Sequence, residues 1–132
     1  MAIPPFSAGG YYQQPQANPM VLALGTAGNP VGTVYTVPLR TKAEITSIHA
    51  HNYDSGAQTL DFYVRLGSGT AYLFHRMSLA ANTSSSADVT LAGMRILLGP
   101  SYQIRLLASK AASIDYLITG YEHFLPTGGR TT

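Results

Sequence analysis

Residues 59–66 alternate cleanly. Leu60, Phe62, Val64 and Leu66 fall on one side and Asp61, Tyr63 and Arg65 on the other, the period-two pattern of a half-buried β-strand. Residues 43–52, with β-branched Ile45, Thr46 and Ile48, predict a second strand. Between them Asp54-Ser55-Gly56 carries turn chemistry, because Asp and Ser bond the local backbone and Gly tolerates positive φ. The two segments therefore read as strands joined at a tight polar turn, with Ile48, Leu60, Phe62 and Val64 beginning a core.

The same grammar extends in both directions. Residues 20–24 form a short apolar run ending at Gly25, and 33–37 form a strand stopped by Pro38, which cannot donate to a ladder and belongs at an edge or an end. After the turn at Gly67-Ser68-Gly69, Tyr72, Phe74 and Arg76 alternate with Leu73, His75 and Met77. Residues 82–86 read as a polar loop and 88–91 as a short strand. Leu91, Met94 and Leu98 would share a helical face, but Gly93 interrupts it and Gly99-Pro100 closes it, so 95–98 is assigned as a strand. Residues 102–108 alternate again, and 114–124 form the last long strand.

Eight or nine short strands with turns about every 8–12 residues, and no amphipathic segment long enough for a βαβ crossover, predict an all-β chain. The expected architecture is an antiparallel β-sandwich, jelly-roll-like. Several strands are apolar on both faces (Ile96, Leu97 and Leu98; Leu106 and Leu107; Leu117 and Ile118), so one face fills the core and the other calls for cover by another subunit.

Residues 1–19 break the pattern, with four prolines, two glycines and three glutamines and neither periodicity. They predict an extended N-terminal arm ahead of a sandwich domain at 20–124 and a polar tail at 125–132. The aromatic groups in the arm carry large apolar area that a solvated tail would waste. Ile3, Pro4, Pro5, Phe6, Tyr11 and Tyr12 are therefore candidate partner-binding residues.

Composition narrows the function. Charged residues make up 11% of the 132, against about 25% in an average globular domain, which suggests a surface covered by other subunits or polar through uncharged side chains. The net charge is +2 with scattered basic residues, whereas a nucleic-acid binder gathers them into a patch. Zero cysteines exclude a disulfide framework and Cys-based zinc. No apolar run approaches the ~20 residues of a membrane helix, and the first residues lack the features of a secretory signal, so synthesis in a cytoplasm is expected.

Chemistry is sparse. His49 and His51, two apart on a strand, project from one face, and His75 and His123 are candidates to approach across neighbouring strands. The His-x-His pair resembles the metal site of cupins, but the glutamate expected a few residues later is replaced by Asn52, Tyr53 and Asp54, so no metal and no cofactor is expected. Asp61 and Asp115 lie on strand faces where charge would point outward. No Gly-x-Ser-x-Gly elbow frames a serine, and Gly67-Ser68-Gly69 lacks the third glycine of a dinucleotide loop. No enzymatic activity is expected. Nine tyrosines leave a carbohydrate-binding sandwich open as an alternative, although most fall inside strands.

Residues 33–37 followed by Pro38, then 43–52, 59–64 and the closing run Asp115-Tyr116-Leu117-Ile118-Thr119-Gly120-Tyr121-Glu122 resemble small β-sandwich virion proteins of tailed bacteriophages. The likeness spans residues 33–123 and departs at Leu39-Arg40-Thr41, where such sequences often place Ala-Gly after the proline. It implies a structural protein located in the virion. A capsid decoration (cement) protein comes first, binding the major capsid protein or other virion proteins as a homo-oligomer, with a trimer favoured. A neck (head-tail connector) or tail component is the alternative.

Overall fold

The computed structural model describes residues 19–125, which form nine strands. These are β1 (Met20–Thr26), β2 (Gly32–Thr36), β3 (Thr41–Asn52), β4 (Gln58–Arg65), β5 (Ala71–Leu79), β6 (Asp88–Leu91), β7 (Ile96–Leu98), β8 (Gln103–Ala108) and β9 (Ile114–Phe124). One turn of 3-10 helix, Ser85–Ala87, precedes β6 and is capped by the Ser84 hydroxyl. The assigned arm (1–19) and tail (125–132) lie outside the described residues except for Pro19 and Leu125.

The strands make two antiparallel sheets. The first has the order β1-β9-β3-β6, with β7 on the same edge of β3 as β6, and the second has the order β2-β8-β4-β5. Successive strands mostly cross from one sheet to the other, and the two four-strand orders are those of a jelly roll. The expected all-β sandwich is therefore what the chain adopts.

Alternation fills the space between the sheets. Ile45, Ile48, Leu60, Phe62, Met77, Ile104, Leu106, Ile114 and Ile118 are all essentially inaccessible to solvent, each spaced by two along its strand except where a bulge intervenes. Ile48, Leu60, Phe62 and Val64 do form part of this core. Near one end Tyr35 of β2 reaches across to donate its hydroxyl hydrogen to the Glu122 carboxylate on β9, tying one sheet to the other. Burial, and then the neighbouring carboxylate, push the Tyr35 phenol well above its ordinary value.

Residues 43–52 and 59–66 are adjacent in sequence but not paired. Both edges of β3 are occupied, one by β9 and the other by β6 and β7, so β4 enters the opposite sheet. The segment between them is a corner, organised by the wholly buried Asn52. Its amide nitrogen donates to the carbonyls of Gly56 and Ala80, each at 2.9 Å, and its amide oxygen accepts from the Asp54 backbone N–H at 2.9 Å. The true hairpin is β4–β5, paired from Gln58↔Leu79 to Arg65↔Ala71, and its turn needs the positive φ of Gly67 (58°).

Strands β1 and β3 are each bulged against β9, with Leu22 the extra residue opposite Ile118–Thr119 and Thr46 the extra residue opposite Thr119–Gly120. At Gly120 the backbones close up so far that a Cβ would sit 1.9 Å from the Glu44 carbonyl oxygen. Only glycine fits there.

Candidate functional site

The strand register sorts the outward side chains into rows. On the first sheet one row runs Thr26, Asp115, His51, Asp88 and the next runs Leu24, Leu117, His49, Thr90. All of these but Thr26 and Thr90, with Tyr53 and Tyr116, line an open depression of about 410 Å³. Its polar groups are bonded to one another. Thr26 donates to Asp115 at 2.6 Å, and Asp88 Oδ1 lies 3.1 Å from His49 Nε2 and 3.0 Å from His51 Nδ1. The other ring nitrogen of His49 meets the Thr90 hydroxyl. Tyr53 packs edge-on against His51 with ring centroids 4.4 Å apart, and the neighbouring Asp115 carboxylate pushes its phenol upward.

The two histidines of the His-x-His pair thus share a face, as their spacing requires. Their donors meet on the Asp88 oxygen, and no cluster of three or more ligand-type residues arranged to hold a metal occurs among the described residues. His75 and His123 do not join them or each other. His75 is on β5 in the second sheet, and His123 is on β9 opposite Lys42, stacked on Tyr121 at 6.2 Å.

On the second sheet the rows are Gln103, Arg65, Ala71; then Thr33, Arg105, Tyr63, Leu73; then Leu107, Asp61, Arg76. Asp61 does not point freely into solvent as its strand face suggested. It is only 4% exposed and is gripped in a bidentate pair by Arg76, at 2.6 and 2.7 Å. That carboxylate raises the Arg76 guanidinium's affinity for its proton. Arg65 is anchored to the hairpin carbonyls of Gly69 and Ser68 at 2.8 and 3.0 Å. Arg105 Nε is buried and finds no hydrogen-bond partner among the described residues.

Strand β5 closes one side of this sheet, and no strand among the described residues pairs with its nine-residue outer edge. Three consecutive side chains on it are exposed and apolar: Tyr72 at 58%, Leu73 at 48% and Phe74 at 59%. Both faces are exposed because pairing with β4 slips between Phe62 and Tyr63, so strict alternation fails there. An open apolar edge of this length is a template for another chain. The sequence reading missed it by treating 72–77 as regular alternation, and the run Tyr-Leu-Phe was the available signal. It also missed Asp88 as the partner of both histidines.

Of the candidate partner-binding residues, Ile3, Pro4, Pro5, Phe6, Tyr11 and Tyr12 all lie outside the described residues.

What the fold and surfaces define is an antiparallel jelly-roll sandwich with, among the described residues, an exposed apolar edge. The chain matches no protein-family profile and no curated protein sequence. Two solved structures resemble it distantly. One is from the disulfide-linked pili of Bacillus endospore appendages, at 14% identity and a TM-score of 0.45, covering 86% of this chain and 95% of that one. The other is from infectious bursal disease virus, Gt strain, at 10% identity and a TM-score of 0.33, covering 92% of this chain and 36% of that one. Likenesses this distant carry no functional information.

Proposed function

We propose that the chain is a non-enzymatic structural protein of a tailed-bacteriophage virion, a capsid decoration protein that self-associates and staples neighbouring capsid subunits through residues 1–19. The observation that carries a structural role is the exposed Tyr72-Leu73-Phe74 edge on β5, an apolar surface suited to another protein rather than to a substrate. The sparse charge of the chain supports the same reading. So does the likeness of residues 33–123 to small phage sandwich proteins, which also favours a trimer at a local symmetry axis.

Deleting residues 1–19 tests the stapling step. The truncated chain should fold and associate as before but fail to bind expanded capsids. Full decoration by the truncated chain refutes stapling. Counting copies in intact particles separates capsid from neck: on the order of hundreds for decoration, about a dozen or fewer for a ring at the neck or tail, as their symmetries dictate.

A further inference from the structure

The two outer faces of the sandwich differ in charge. The rows on the first sheet around the depression hold the carboxylates of Asp88 and Asp115 and no lysine or arginine. The corresponding rows on the second sheet hold Arg65, Arg76 and Arg105 against one carboxylate, Asp61, which Arg76 already occupies. Each charged patch adjoins exposed apolar side chains: Leu24 and Tyr53 beside the acids, Leu73 and Phe74 beside the arginines.

We propose that these faces are mating surfaces. The arginine face and β5 edge of one copy dock on the acidic, apolar depression of a second copy of this chain. Two observations converge on that occupant. The charges are complementary, and complementary patches set both register and encounter rate. The open depression of about 410 Å³ is lined by Leu24, Leu117 and Tyr116, apolar groups against which Phe74 or Leu73 would pack.

The contact joins two different patches, so it is heterologous. Copies add head to tail and close into a ring when the rotation between them permits, and a three-membered ring is the smallest such closure beyond a pair. This inference rests on the self-association part of the function proposed above and is independent of the phage assignment.

Sedimentation equilibrium of the full-length chain tests it, with folding of each variant checked by circular dichroism. The wild type should associate, less tightly as salt rises and screens the exposed charges. Arg105→Glu and Asp88→Lys should each weaken association at least ~tenfold, since each sets like charges against one another. Should Arg105→Glu fail to fold, Arg65→Glu takes its place. Mixing the two variants is the decisive arm. The first keeps an intact acidic face and the second an intact arginine face, so the mixture should form heterodimers and larger assemblies holding the two variants 1:1. No heterodimer, or two variants that associate as tightly as wild type, overturns the head-to-tail contact while leaving self-association standing. A wild-type chain that is monomeric at every concentration, yet present in particles at high copy, also overturns it and leaves the virion role intact.

Discussion

Gly120→Ala places a methyl group where two strands nearly touch. Its Cβ would lie 1.9 Å from the Glu44 carbonyl oxygen, 2.9 Å from the carbonyl carbon and 3.1 Å from Ile45 Cα, all backbone atoms that cannot swing aside. Reaching even the shortest tolerable contact requires roughly 1 Å of strand separation, which stretches an adjacent ladder bond of about 2.9 Å past hydrogen-bonding range. Losing about two such bonds costs ~1 kcal/mol each, and the overpacking adds ~1–3 kcal/mol. The expected loss is therefore about 3–5 kcal/mol. At about 3–5 °C per kcal/mol, between the values for smaller and larger domains, melting should fall by at least ~10 °C. Scanning calorimetry on the variant measures this, with Gly32→Ala as control, because a Cβ at Gly32 meets nothing within 4 Å. Gly120→Ala melting within about 3 °C of wild type, well inside the ~10 °C expected from those increments, would falsify the close approach.

Other perturbations follow from the charged pairs. Lys110, 2.6 Å away, and then the Gly56 N–H and Gln58 hold the Asp54 carboxyl down from 3.8 to about 2. A lowered folded-state value stabilises above the unfolded pKa and is lost as pH falls through the folded one, so wild-type melting should drop more steeply than that of Asp54→Asn between about pH 4 and 2; equal slopes refute this. The raised Tyr35 phenol works in the opposite sense. It stabilises fully below the unfolded value of about 10 and is lost at higher pH, so Tyr35→Phe should be less sensitive to alkaline unfolding than wild type. Arg76→Ala leaves the buried Asp61 carboxylate without its partner, and should lower the urea midpoint more than Arg95→Ala, whose ion pair with Glu44 at 3.4 Å is looser and more exposed. Similar midpoints for the two variants would count against the Asp61 account.

Much of the fold was legible along the chain because one physical rule dominates it. A strand with one face in the core must alternate, and 59–66, 102–108 and 114–124 do so closely enough that their limits fall within one residue of β4, β8 and β9. Pairing was not legible. The polar stretch after Asn52 has the composition of a hairpin turn, yet β3 already has partners on both edges, and those partners lie tens of residues away. Asp61 illustrates the same limit: its burial depends on Arg76, which comes opposite it only through the β4–β5 register. The histidines were placed correctly on one face, but Asp88 joins them from a strand far along the chain. Side chains that meet across strands become visible only when register is known, and a slip such as that near Phe74 changes which ones are exposed.

The edge of β3 shared by two short strands has a practical consequence. Between β6 and β7 the chain leaves the sheet at residues 92–95, where Ala92, Gly93 and Arg95 are exposed and Gly93 already adopts a positive φ of 73°. The strands on either side are each fastened to β3 by their own ladder. A peptide grafted at Gly93 would therefore be held at both ends without entering the core, and a protease nick there would leave two fragments still bound together. That loop is a natural position at which to display an epitope or fluorophore while the sandwich remains whole.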